Sequence, residues 1–155
     1  VAEPQAPGST DADLVWLDLA CDLAALCPPS ESAFSVGAVI VAADGTRIAR
    51  GHSREDDPKD HAEESALRRV PAGTDLGGAT LYSSLEPCGR RASRPRPCAE
   101  LVLDAGIRRV VFAWSEPDVF VPATGADRLR AAGVEVVEMP VLASRAKEPN
   151  GHLLG

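Results

Sequence analysis

No stretch of the sequence is apolar for long enough to cross a bilayer, so nothing in it reads as a membrane-spanning helix. The first residues, Val1 to Thr10, lack the basic and apolar regions of a secretory signal, and a cytoplasmic protein is expected. Positive charge is also in deficit: 16 Lys and Arg stand against 23 Asp and Glu, a net charge of −7. Such a surface repels polyanions, which argues against a protein whose main task is to grip nucleic acid. Cysteine is limited to four residues, and in an intracellular chain these serve metal ligation or burial rather than disulfides. There is no internal repeat and no low-complexity tract. What is present is ordinary: 155 residues, 45% hydrophobic and 25% charged, suit one globular domain with one core.

Val1 to Ser9, with Pro4, Pro7 and Gly8, reads as a mobile lead-in. A helix is predicted from Asp11 to Cys27, with Leu14, Leu17, Cys21, Ala24 and Ala25 on one face and Pro28-Pro29 as its stop. Thr10 and Asp13 have the spacing of a capping box. Cys21 and Cys27, without a histidine or third thiol nearby in sequence, read as core or half-buried residues. Phe34 to Ala43, rich in valine, isoleucine and alanine, has the character of a strand buried on both faces. Asp44-Gly45 signals a two-residue turn into a returning strand, Thr46 to Gly51.

A second helix is expected from Asp60 to Arg69, a third strand from Ala79 to Ser84, and a third helix from Cys98 to Asp104 closed by Gly106. Strands at Arg108 to Trp114 and Val134 to Met139 flank a fourth helix, Ala126 to Ala132. The helix joining the last two strands makes them parallel, and the alternation favours a mixed or mostly parallel sheet covered on both faces. The domain would occupy 11–140, and Val141 to Gly155, which has no clear period, reads as a tail.

Chemistry concentrates at His61-Ala62-Glu63, Pro87-Cys88 and Cys98. One imidazole and two thiolates are the ligand set of a catalytic zinc whose fourth position is open. In a helix interior, positions two apart diverge by about 200°, but in the first turn both can lean past the helix end. Cys98 likewise opens a helix, after Pro97, so two positive helix ends meet at the proposed metal and favour thiolate. Zinc in such a site lowers the pKa of water to about 7. Glu63 is then available to carry protons to a ring nitrogen and a departing amine. Taken singly, each residue has a plainer reading. Glu63 stands three after Asp60, as in a capping box; His61 could be a surface or capping histidine; the two cysteines could be merely buried. Their conjunction in this order favours a metal site. Glu64 reads as a solvated or helix-pairing carboxylate.

His-x-Glu followed by Pro-Cys and a second Cys is the pattern of zinc nucleobase deaminases, and over roughly Val36 to Val136 the chain resembles the cytidine-deaminase-like superfamily. Within it, the chain looks most like the deaminase domain of the bifunctional riboflavin-biosynthesis enzymes. Nine residues, Gly89 to Pro97, separate Cys88 from Cys98, where the superfamily usually has two; a lengthened loop is typical of that branch. Ala79-Thr80-Leu81-Tyr82, Leu85-Glu86-Pro87-Cys88, Arg96-Pro97-Cys98-Ala99, Asp104 to Val111 and Glu116-Pro117-Asp118 agree with it. The resemblance implies a three-layer α/β/α sandwich on a five-stranded mixed sheet with strands 4 and 5 parallel. It also implies a Zn2+ cofactor held by His61, Cys88 and Cys98, Glu63 as proton carrier, and a homo-oligomer such as a dimer. The implied substrate is the diaminopyrimidine ribosyl-amine phosphate of riboflavin synthesis, deaminated by a stand-alone enzyme.

Arg90, Arg91, Arg94 and Arg96 lie in the long loop and could clamp a phosphate; a solvated basic loop is the plainer reading. By family position Arg94 is the phosphate candidate, Glu116 and Asp118 could accept from ribose hydroxyls, and His52 matches a substrate-contacting histidine. Where the branch carries Asn-Pro, this chain has Ala33-Phe34, a stretch similar to that of cytidine deaminases, whose phenylalanine lines the pocket. Loss of a base-recognising amide should alter specificity. Two alternatives therefore stay open. One is the same chemistry on cytosine, cytidine, a deoxycytidine nucleotide, guanine or a specialised metabolite. The other is a zinc-stabilised binding module without catalysis, which would need a closed four-ligand site where three convincing ligands are found.

Overall fold

The computed structural model describes residues 10–89, 96–115 and 125–154. Helix α1 (Thr10–Ala24) precedes a hairpin of β1 (Gly37–Val41) and β2 (Arg47–His52). Then follow α2 (Ala62–Arg68), β3 (Thr80–Leu85), α3 (Cys98–Asp104), β4 (Arg109–Trp114), α4 (Gly125–Ala131) and β5 (Glu135–Glu138). The sheet order is β2-β1-β3-β4-β5. β1 runs antiparallel to both β2 and β3, whereas β3, β4 and β5 are mutually parallel. This is the mixed five-stranded sheet that was expected, with strands 4 and 5 parallel. Helices α1 and α5 (Ala143–Lys147) cover one face, and α2, α3 and α4 the other. Among the described residues no helix is long and apolar enough to cross a membrane.

Hydrophobicity explains the middle layer. All of β1 is buried, as a Val/Ile-rich strand covered on both faces must be, and so is all of β3, the central strand of the sheet. Leu17, Ile40, Leu81, Tyr82, Val110 and Leu129 have no exposed surface. Two glycines let helices sit directly on the hairpin: a Cβ on Gly37 would lie 1.9 Å from the Ala20 carbonyl oxygen, and one on Gly51 would lie 2.5 Å from the Ala66 nitrogen.

Differences from the expected boundaries have local causes. α1 ends at Ala24 because Leu26 and Cys27 donate to Leu23 and Ala24, tightening the last turn to i→i+3 bonds ahead of Pro28-Pro29. Ala25 is accordingly exposed. The Asp44-Gly45 turn is one residue wider than read: Ala42 donates to Thr46, and Gly45, at φ +88°, closes a loop of residues 43–45. The stretch without a sequence period forms 3-10 turns at Pro140–Leu142 and Glu148–Leu153 on either side of α5, pieces too short to show a period. They pack down: Ala146 and Asn150 are buried, and Arg145 pairs with Asp18 and Asp22 of α1.

Asp13 does more than a capping partner would. Its carboxylate accepts two bonds from Arg109, at 2.9 and 2.8 Å, and one from the Tyr82 hydroxyl at 2.6 Å. Burial and the Asp13 carboxylate push the Tyr82 hydroxyl well above its ordinary pKa. This cluster ties α1 to β3 and β4 beneath the sheet. Removing one member of a buried pair typically costs about 3–5 kcal/mol. Asp13→Ala should therefore lower the unfolding free energy by about 3 kcal/mol in urea titration, with an unchanged m-value.

Candidate metal centre

Three segments converge at the carboxyl end of β3. α2 begins with His61 as its N-cap, and the Glu64 carboxylate accepts from the His61 backbone N–H at 3.0 Å. Glu64, not Glu63, is thus the capping carboxylate, and Glu63 is left for other work. Asp60, immediately upstream and buried, is gripped by Arg68 at 2.7 and 2.9 Å, which fixes where the helix starts. Cys98 is the first residue of α3, behind Pro97. Cys88 follows β3 by way of Glu86-Pro87. Its carbonyl accepts from Ala99 at 3.0 Å, and its sulfur from the Cys98 backbone N–H at 3.1 Å.

The Nδ1 of His61 lies 3.2 Å from the Cys98 sulfur and 3.6 Å from that of Cys88. All three ligand atoms lie within 4.8 Å of one another. A tetrahedral zinc with bonds of 2.0–2.3 Å spaces its ligand atoms about 3.5–3.8 Å apart, so the donor set and its spacing fit this ion. Cys88 and Cys98 are buried and His61 is half-buried. The Cys98 thiol first, then the His61 ring and the Cys98 backbone, hold the Cys88 thiol down at about 4 despite burial. That favours the thiolate a metal takes up.

Glu63 is almost fully buried, at 4% exposure. Burial pushes its carboxyl up to about 7, and the Cys88 thiolate adds to the shift against the pull of His61. A carboxyl poised near neutrality beside a metal site can both take and give a proton.

The substrate candidates are distributed less evenly. Phe34 is half-buried, its ring centroid 5.3 Å from that of Trp114 in an edge-to-face contact. His52 ends β2 and is engaged with Glu55, its backbone N–H donating to Oε1 at 3.2 Å and its Nε2 3.8 Å from Oε2. Of the loop arginines, Arg96 is exposed and paired with Glu100 and Asp104. Arg90, Arg91, Arg94, Glu116 and Asp118 lie outside the described residues.

Sequence reasoning gave Glu86 no role, although it stands beside Pro87-Cys88 in a stretch shared with the family. It is buried, and its carboxylate accepts from the Ala126 N–H at 2.7 Å, docking the start of α4 onto the Cys88 turn. A Cβ on Gly125 would fall 1.7 Å from the Pro87 carbonyl oxygen, so only glycine admits this approach. The signals available in the sequence were its place in the Leu85-Glu86-Pro87-Cys88 stretch and a carboxylate directly ahead of the metal turn.

A mixed α/β/α sandwich with a His/Cys/Cys group at its strand ends defines a zinc-deaminase-like domain. The chain belongs to the family described as the cytidine and deoxycytidylate deaminase zinc-binding region, whose model matches residues 10–114. It is 43% identical over 115 residues to a diaminohydroxyphosphoribosylamino-pyrimidine deaminase of Schizosaccharomyces pombe, a match covering 72% of this chain and 28% of that protein. It is 42% identical over 103 residues to the riboflavin biosynthesis protein RibD of Escherichia coli, covering 66% of this chain and 26% of that one. Among solved structures, Acinetobacter baumannii RibD superposes with a TM-score of 0.75 at 35% identity, over 90% of this chain and 38% of that one. The chain therefore spans less than a third of these two curated relatives.

Two outcomes check the site. Purified protein should carry one zinc per chain, and Cys88→Ser or His61→Ala should weaken zinc binding by more than about 100-fold in chelator competition. For metal-stripped protein, raising the pKa of a buried carboxyl penalises folding only where the unfolded chain is ionised. The penalty is absent near pH 4.5, grows towards pH 7 and is full above it. Glu63→Gln should then stabilise the stripped fold by up to about 3 kcal/mol at pH 8 and by little near pH 4.5, read by denaturant titration at the two pH values.

Proposed function

We propose that this chain is a zinc-dependent aminohydrolase that deaminates the phosphoribosylated diaminopyrimidine of riboflavin biosynthesis and releases ammonia. The observation carrying the chemistry is the joint geometry of His61, Cys88 and Cys98, with Glu63 buried two residues from His61. The choice of substrate is supported by relatives of 42–43% identity named for that pathway and by the nine-residue loop between the cysteines.

His61, Cys88 and Cys98 would hold the zinc. When bound, zinc supplies Lewis acidity that makes water a usable nucleophile near neutral pH. The chain's own contribution is placement and proton traffic. Glu63 accepts the first proton given up by water and delivers it to the ring nitrogen beside the reacting carbon. It then accepts the second from the hydroxyl newly attached to that carbon and passes it to the amine as it leaves as ammonia. Burial of Glu63 and Cys88 keeps that traffic out of bulk solvent. Arg94 is assigned to the substrate phosphate, Glu116 and Asp118 to ribose hydroxyls, and Phe34 and His52 to the pocket wall. The protein would work in the cytoplasm, in keeping with four cysteines none of which forms a disulfide, and the family resemblance favours a homo-oligomer. The acidic net charge speaks against nucleic acid as a partner.

A second reading keeps the chemistry and changes the base. Phe34 stands edge-on to Trp114 where the riboflavin branch carries an Asn-Pro, and an aromatic wall without that amide suits another amino-heterocycle.

Ammonia release should be measured over the phosphorylated diaminopyrimidine, cytidine, deoxycytidine monophosphate, cytosine and guanine. Turnover of the first is expected; turnover of cytidine with none of the diaminopyrimidine would sink the riboflavin assignment. Glu63→Gln should keep its zinc while kcat falls by about 10²–10⁴ or more. A zinc-loaded wild type inactive on every compound, and as stable as Glu63→Gln at every pH, would favour a non-catalytic module.

A further inference from the structure

Residues 28–36 join α1 to β1 without regular structure, and side chains from distant segments bond much of their backbone. The Arg54 guanidinium donates from Nη2 and Nε to the Pro28 carbonyl at 2.7 and 3.3 Å. It also donates from Nη1 to the Phe34 carbonyl at 3.0 Å, and from Nη2 to the Ser35 hydroxyl at 2.7 Å. Asn150 engages Ser35 as a neighbouring strand would, accepting its N–H at 2.6 Å and donating to its carbonyl at 3.0 Å. Ser53 does the same for Val36, its hydroxyl accepting the N–H at 2.9 Å and its own N–H donating to the carbonyl at 3.0 Å.

Two features single out Arg54 and Asn150. Among the described residues, Arg54 is the one non-glycine with positive φ, at +58°, a conformation unfavourable for any residue with a Cβ. Its surroundings must hold it there, and its N–H donates to the Asp60 carbonyl at 2.9 Å, directly ahead of the ligand His61. Asn150 is wholly buried inside the 3-10 turn Glu148–Leu153, and Lys147, the last residue of α5 just ahead of that turn, lies 5.8 Å from the Trp114 ring centre.

What these bonds hold is the backbone of Phe34. The antiparallel register that pairs Ala38 with Ser83, continued by the Gly37 N–H on the Ser84 hydroxyl at 3.1 Å, carries residues 34–36 alongside the approach to Cys88. Phe34 meets Trp114, whose carbonyl accepts the Glu86 N–H at 2.8 Å.

We propose that Arg54 and Asn150 are positioning residues that together clamp the 28–36 segment. They hold Phe34 as the specificity-determining wall of the zinc pocket, so that segment 143–153 belongs functionally to the substrate site. This rests on the deaminase reading for its kinetic consequences, but the geometry can be tested without it.

The test uses the full chain labelled with 4-fluorophenylalanine, with the Phe34 signal assigned by Phe34→Leu. Zinc content, the fluorine spectrum and steady-state kinetics are compared for wild type, Arg54→Ala, Arg54→Lys and Asn150→Ala. With zinc retained, the Phe34 resonance should move towards the value of a freely rotating ring in both alanine variants. Arg54→Lys should recover it only in part, because an ammonium lacks the planar fork. KM for the substrate that wild type turns over should rise about tenfold with kcat nearly unchanged. In the Phe34→Leu background, Arg54→Ala should add nothing further.

An unmoved Phe34 resonance in Arg54→Ala, or a KM effect fully additive with Phe34→Leu, overturns the proposal. Arg54 lies outside the core, so that variant decides the matter if Asn150→Ala does not fold. If wild type releases ammonia from none of the compounds, the deaminase reading fails on its own account, and the fluorine signal alone decides whether Arg54 and Asn150 position Phe34.

Discussion

Everything in this molecule answers to one constraint: an imidazole and two thiols, from residues 61, 88 and 98, must meet within 4.8 Å. No single element could supply all three. The solution uses the ends of elements, two helix starts and one strand exit, where the backbone still has freedom to aim a side chain. The parallel pairing of β3 and β4 brings this about, since a crossover helix between parallel strands starts near the end where the preceding strand finished and carries the chain back to the other. α3 is that crossover, and its first residue is a ligand.

The same constraint divides labour between adjacent carboxylates. Glu63 and Glu64 are neighbours in sequence, yet one is sealed from water and near neutrality while the other caps the helix. The divergence of side chains in a first turn does this without any difference in residue type. Asp60, gripped by Arg68, sets the register in which the division occurs.

Much of this was legible in the sequence because the decisive residues carry their own local grammar. His61 and Cys98 announce helix starts, Pro87 announces a strand end, and the burial of β1 follows from its run of branched aliphatics. The Asp13–Arg109–Tyr82 cluster and the Arg54 and Asn150 clamps were not legible. They join residues 69 to 115 positions apart, or depend on one residue held at positive φ, and no local pattern encodes such pairings. The C-terminal helical pieces escaped for a different reason: five residues of helix are too few to display a period, and their order comes from packing against α1 and the sheet.

The docking of α4 onto the metal turn carries a mechanical consequence. With Glu86 holding the Ala126 N–H, and Gly125 pressed so close to Pro87 that no side chain fits between, the start of α4 is tied directly to the turn that presents Cys88. A displacement of α4 would be transmitted to the Cys88 sulfur with little loss. Through it, a change at α4 would be felt where the Cys88, His61 and Cys98 side chains meet.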